Sequence, residues 1–287
     1  VLTSLLNEGD KVILPTPIFP LYIPITLVGG GEPVFIDTSS NDFVLSPEML
    51  KQTIKTHGDS IKAIVLNFPS NPTGVTYSAQ EIKALADVLR DTNIVIISDE
   101  IYSELTYETT HVSMAQYLPE QTIILNGVSK SHAMTGYRIG FLAAPAELVT
   151  KLSLIHQFTI TTANNTAMAA AAEALGTEAG RQDTLAMKAA YQERRDFVYQ
   201  TMINLGFTIP RPAGAFYIFA KIPAGYHQDD FEFARDLAVK NKLAVVPGSA
   251  FGPGGEGYIR LSYAASLATL QDAMSRLNDY LKDNRQA

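Results

Sequence analysis

The sequence predicts an α/β fold, a mostly parallel sheet with helices on both faces, followed by a smaller α+β unit. Three observations predict it. Apolar runs of strand length alternate with helical stretches through the first half of the chain. Several of those runs are continuous, as in Ile94-Val95-Ile96-Ile97, which suits strands covered on both faces. Near Gly176 the pattern changes to one long helix, then short strands and two more helices.

The elements follow in order. Residues 1–6 are apolar and read as the last turns of a helix. With no initiator Met, they lead us to expect a segment upstream of Val1. Residues 7–10 turn into a strand at 11–14, and further strands are expected at 33–37, 61–68, 94–98, 122–126 and 138–143. Ser78-Ala79-Gln80-Glu81 is a capping box, in which hydroxyl and carboxylate each satisfy a free backbone donor. Behind it Ile82, Leu85, Ala86 and Leu89 form one apolar stripe of a helix. Strand, helix, strand at this spacing gives a parallel sheet. The long helix is expected over 183–205, closed by Gly206, with Met187, Tyr191, Val198 and Met202 on one side. Strands at 214–221 and 257–263 follow, then a last helix from Ser266 with a stripe of Leu267, Leu270, Met274, Leu277 and Leu281. The change of pattern puts a domain boundary near residue 178, giving units 1–178 and 179–287.

Composition removes several classes of function. A net charge of −7 with no basic cluster argues against nucleic acid as a partner. The absence of cysteine excludes a disulfide framework, a zinc–cysteine site and a thiol nucleophile. The histidines lack metal-ligand spacing, so no metal is expected. No apolar run reaches the ~18 residues of a membrane span, and the opening residues are too short for a signal peptide. A cytoplasmic protein is expected.

In open parallel sheets ligands bind beyond the carboxyl ends of the strands. Pro69-Ser70-Asn71-Pro72-Thr73-Gly74 follows one apolar run, Asp99-Glu100-Ile101-Tyr102 the next, and Gly127-Val128-Ser129-Lys130 the third. If those strands are neighbours, one sheet edge receives an amide, a carboxylate with a phenol, and an amine. Each residue also has an ordinary use. Asp at a strand end turns or caps, a lone Lys is solvated, and Asn-Pro marks a turn. Arg260, which alternation puts on a polar face with Tyr258 and Ser262, could serve the surface. Asp99 is harder to dismiss, because an unpaired carboxylate ending a wholly apolar strand is costly. Gly252-Pro253-Gly254-Gly255 lacks the strand–glycine–helix context of a phosphate cradle and reads as a loop.

Taken together these segments resemble the class I/II aminotransferases, fold-type-I enzymes that use pyridoxal 5′-phosphate. The resemblance rests on Asn71-Pro72-Thr73-Gly74, Ser98-Asp99-Glu100-Ile101-Tyr102, the run from Asn126 through Ser129-Lys130-Ser131-His132 to Arg138-Ile139-Gly140, and Tyr258-Ile259-Arg260-Leu261-Ser262-Tyr263. It runs essentially the length of the chain, and the lysine segment is the specific part. It implies a large domain with a mostly parallel, seven-stranded-type sheet and a small C-terminal domain.

The resemblance also implies roles. Lys130 forms the Schiff base with the cofactor, Asp99 pairs with the ring nitrogen, and Tyr102 and Asn71 hydrogen-bond the ring's 3′ oxygen. Arg138 holds the phosphate with help from Ser129, and Phe19 stacks on the ring. Arg260 clamps the substrate α-carboxylate, which Asn71 also touches. The family often has Ser where this chain has Gly127, which removes one phosphate ligand. The implied reaction moves an amino group between an amino acid and a 2-oxo acid, in a homodimer. Two other readings share these residues: a C–S β-lyase, and the sensor half of a transcription regulator. Phe216, Tyr217 and Tyr22 are compatible with an aromatic substrate side chain or with the core.

Overall fold

The computed structural model describes residues 1–285. In chain order its elements are α1 (Leu2–Leu5), β1 (Lys11–Thr16), α2 (Tyr22–Val28), β2 (Glu32–Asp37), α3 (Pro47–His57), β3 (Ile61–Asn67), α4 (Ala79–Leu89) and β4 (Val95–Asp99). Then come β5 (Thr122–Gly127), α5 (Val128–Ser131), β6 (Gly140–Ala143), α6 (Ala146–Thr159), α7 (Asn165–Gly176) and α8 (Glu178–Asn204). The chain closes with β7 (Tyr217–Lys221), α9 (Asp230–Asn241), β8 (Val246–Pro247), β9 (Tyr258–Ser262) and α10 (Leu267–Asp283).

The larger sheet has the order β2-β1-β3-β4-β5-β6, parallel except for β6, which runs antiparallel to β5. It has six strands among the described residues, where the resemblance implied a seven-stranded type. The remaining extended runs lie beyond α8 and pair with one another in a separate antiparallel sheet, β7-β9-β8.

Both faces of the larger sheet are covered, which explains its continuous apolar strands. Along β3, Ile64 and Leu66 pack with Leu50 of α3 and with Ile82, Leu85 and Leu89 of α4. Their neighbours Ala63 and Val65 point the other way and join Leu2, Leu6 and Ile25 beneath α1 and α2. Each such large aliphatic side chain withdrawn from water contributes about 1.5–3 kcal/mol. The Ser78–Glu81 capping box forms at α4, and its four stripe residues are fully buried. A second core gathers Val198 and Met202 of α8, Ile218, Phe233, Leu237, Ile259 and the α10 residues Leu270, Met274 and Leu277.

α8 begins five residues earlier than its sequence suggested. Thr177 caps it by accepting from the Gly180 amide at 3.1 Å. Gly180 lies inside the helix where α7 passes so close that a Cβ would meet the Ala174 carbonyl at 2.0 Å. One end of α8 reaches the first unit, where Thr184 Oγ1 donates to the Ser131 carbonyl. Farther along, the fully buried Arg195 donates to the Pro212 carbonyl at 2.7 Å and to Glu108 at 3.0 Å. The glycine-rich loop after β8 closes against the loop after β1: the Ile18 amide donates to Phe251 O at 2.9 Å. Gly254 has φ +81°, and a Cβ there would sit 2.1 Å from Asp37 Oδ1. The close packing of that loop is its role here. No helix among the described residues is long and apolar enough to cross a membrane.

Candidate active site

The strand order puts β3, β4 and β5 side by side, so their carboxyl ends open on one edge. Asn67, the last residue of β3, is in register with Asp99, the last of β4, and Asp99 with Leu125 of β5. Between this edge and the β7–β9 sheet lies a cleft of about 690 Å³. Phe19, Asn71, Asp99, Tyr102, Ser129, Lys130, Arg138 and Arg260 all line it, together with Tyr22, Asn67, Thr135 and Tyr217.

Asp99 ends the apolar strand β4 and is only 9% exposed. Burial pushes its carboxyl up from the ordinary range, and the adjacent Glu100 adds to this. The Tyr22 hydroxyl, at 2.5 Å, and the Ile101 amide, at 3.2 Å, pull it back, as does the charge of Lys130. Its hydrogen-bond partners are therefore a phenol and an amide, neither of them a cation. Such a carboxylate suits a ligand that brings positive charge.

Lys130 is half-buried on α5, its amine 5.7 Å from the Phe216 ring centre and 5.8 Å from that of Tyr102. Burial lowers its pKa first, then the nearby Arg138 and Arg260, while Asp99 opposes them. A lysine whose neutral form is favoured can attack a carbonyl or take a proton.

Arg138 differs from its sequence reading. It lies before β6 in a left-handed turn, φ +56°, exposed and donating to Thr135 O. Arg260 sits at the cleft from β9, its Nη1 donating to Asn71 Oδ1 at 2.8 Å. Its Nε is buried without a partner, and its guanidinium lies 4.5 Å from the Tyr217 ring centre and 4.7 Å from that of Phe251. Phe19 is half-exposed at the rim with its ring edge-on to Tyr22 at 6.2 Å. Ser129 lines the cleft one residue before the amine. Gly127 has no room for a side chain: a Cβ would meet Ile139 O at 2.8 Å and Gly140 Cα at 2.9 Å. Close approach of β6 thus accounts for glycine at this position.

The sequence reading missed the partners of three groups. Tyr22, read there as a substrate contact or a core residue, lines the cleft and also holds Asp99. Tyr217 from β7 shares a 2.8 Å hydrogen bond with the Tyr102 hydroxyl, so the second sheet reaches the cleft. Asn67 bridges the Asp99 carbonyl and the Asn71 amide, at 3.3 and 2.9 Å. Its one sequence signal was its place at a strand end. The arrangement combines a buried acid, an amine whose pKa is lowered and two guanidinium groups. That donor set fits pyridoxal 5′-phosphate: acid for ring nitrogen, amine for aldehyde, Arg138 for phosphate.

Comparison with known proteins agrees with this chemistry. The family model for aminotransferase class I and II matches residues 1–277. A probable N-acetyl-LL-diaminopimelate aminotransferase of Bacillus subtilis is 42% identical over 284 residues, which cover 99% of this chain and 71% of that protein. An aspartate aminotransferase of Geobacillus stearothermophilus is 41% identical over 290 residues, 97% of this chain and 72% of its own length. The crystal structure of an aromatic aminotransferase from Pyrococcus horikoshii superposes with a TM-score of 0.93 at 35% identity, covering 98% of this chain and 76% of that one. The chain belongs to the class I and II aminotransferases, a pyridoxal-phosphate-dependent family of fold type I.

Proposed function

We propose that this cleft holds pyridoxal 5′-phosphate and moves an amino group between an L-amino acid and a 2-oxo acid, with Lys130 as the cofactor's covalent anchor. The observation that carries the reading is that Asp99, Lys130, Arg138 and Arg260 line one cleft. When bound, the cofactor supplies an electron sink for the electron pair left at the substrate α-carbon. Asp99 would hold the ring nitrogen protonated. Tyr102 and Asn71 would hydrogen-bond the ring oxygen, Phe19 would stack on the ring, and Ser129 and Arg138 would hold the phosphate. Arg260, which lines the cleft, would offer its planar guanidinium to the substrate α-carboxylate. Lys130 would take the proton from the substrate α-carbon and return it.

The two largest hydrophobic cores, one within residues 1–178 and one drawn, apart from Tyr107, from residues 179–287, support a division into units 1–178 and 179–287, which smaller clusters such as Phe43 with Phe219 join. Cytoplasmic residence and a homodimer belong to the same proposal and rest on the family resemblance. The names of the relatives favour transfer over a β-lyase.

Replacement Lys130→Ala tests the reading. It removes the absorbance of covalently held cofactor and lowers transfer by about 10³-fold or more. An unchanged cofactor spectrum in that variant refutes the assignment. Release of ammonia without a requirement for 2-oxo acid identifies a lyase instead.

A further inference from the structure

Glu100 follows Asp99 directly, and it does not line the cleft. Its side chain is almost wholly buried. Oε1 accepts from the hydroxyls of Ser98, at 2.8 Å, and Ser113, at 2.7 Å, while Oε2 meets Nε2 of His111 at 2.8 Å. Burial works against this charge, but the His111 and serine hydrogen bonds overcome it and hold the carboxyl below its usual range. An ionised Glu100 accepts only, so Nε2 of His111 carries the proton. His111 Nδ1 is buried without a partner. A bare acceptor there leaves no donor stranded.

The His111 ring is stacked on Phe68, with centres 5.2 Å apart and planes at 28°. Phe68 comes directly after β3 and opens a tight turn, in which Ser70 N donates to Val75 O and Gly74 N to Ser70 O. The turn carries Asn71, whose side-chain oxygen receives Arg260. Asn67 ties the same turn to the Asp99 carbonyl. Asn71 is therefore braced twice, through Asn67 and through the stack of Phe68 on a histidine that a buried carboxylate holds in place. Nothing in the transfer chemistry above uses Glu100 or His111.

We propose that Glu100 and His111 are positioning residues: the buried pair fixes the turn that carries Asn71, and so sets Arg260 for the substrate carboxylate. This rests on the proposed role of Arg260. Through His111 the pair touches Asn71's turn and neither Lys130 nor Arg138, so the expected effect of changing His111 falls on the Asn71–Arg260 contact and with it on substrate binding. His111→Phe keeps a ring against Phe68 but removes the N–H, whereas His111→Gln restores a donor to Glu100.

The test measures steady-state transfer to 2-oxoglutarate by the 287-residue chain with pyridoxal 5′-phosphate, using L-aspartate and L-phenylalanine as donors. For His111→Phe, the donor KM rises about tenfold while kcat stays within about twofold, and His111→Gln recovers most of that rise. An unchanged KM, or a fall in kcat with KM unchanged, overturns the proposal. If His111→Phe does not fold, His111→Leu, which also removes the N–H, carries the same expectation and the same overturning result. Should the unaltered chain transfer from neither donor, the reading of these two donors as substrates fails by itself. Calorimetric binding of L-aspartate then decides the positioning role: weaker binding to His111→Phe supports it, and equal binding overturns it.

Discussion

The Tyr22 hydroxyl donates a 2.5 Å hydrogen bond to Oδ2 of Asp99, joining the first turn of α2 to the end of β4 across 77 residues of sequence. Burial raises the Asp99 pKa, and this bond is the first of the interactions that counter it. The phenol is raised in turn, by its own burial and by the carboxylate beside it, so it remains a donor. Tyr22→Phe leaves Asp99 less able to hold its charge. Cofactor affinity, followed by absorbance titration, falls about tenfold, within the range for a lost hydrogen bond to a charged group. Unaltered affinity contradicts a role for Tyr22 in supporting that charge.

Asp99→Asn separates stability from function. The folded carboxyl has a raised pKa, so the fold favours its neutral form. The resulting penalty begins as pH rises past the unfolded value of about 3.9 and is complete above the folded value. At pH 7 the cofactor-free variant therefore melts higher than the parent, and the gap closes toward pH 3. Transfer activity is lost, because an amide cannot keep the ring nitrogen protonated. A lower melting temperature at pH 7 in the cofactor-free variant rules out this account.

Arg138 and Arg260 both depress the Lys130 amine, after the larger effect of burial. Arg138→Gln removes one of these charges and raises the amine pKa. Less neutral amine is then present at any pH below that value. The rate of condensation with pyridoxal, which lacks the phosphate that Arg138 would hold, then shows its acid limb at higher pH. A limb that stays in place or moves down shows that Arg138 does not act on this amine.

Arg195 is buried where α8 meets the segment leading into β7. Its guanidinium lies 5.1 Å from the Tyr107 ring centre and donates to Pro212 O and Glu108. Arg195→Met leaves the Pro212 carbonyl unpaired, while the partly exposed Glu108 keeps Arg211. The expected loss is about 2 kcal/mol, read as a lower denaturant midpoint with an unchanged slope. An unchanged midpoint denies the residue a structural role.

Legibility in the sequence follows the range of the forces involved. The Ser78 capping box and the stripe of Ile82, Leu85, Ala86 and Leu89 act within a few residues, so spacing alone exposes them. The residues after β3, β4 and β5 were readable because a parallel sheet delivers strand ends to one edge, whatever packs around it. The start of α8 was misread because Gly180 answers to α7, a neighbour that no local pattern names. Arg138 was placed on a strand because Ile139 to Ala143 continue its apolar run, while its own backbone turns left-handed.

By itself, then, the sequence determined the alternation of elements, the two-faced burial of the sheet and the stock of reactive groups: a carboxylate, an amine, an amide and two guanidinium groups. Tertiary structure decided their partners. Tyr22 meets Asp99, Tyr102 meets Tyr217, His111 meets Glu100, and Asn71 meets Arg260 across 189 residues. Hydrophobic periodicity records which face a residue turns toward the core, and it carries no information about which distant polar group will share that burial. That choice waits for strand order and for the docking of the second sheet, which bring the groups within 3 Å and leave them no water to prefer.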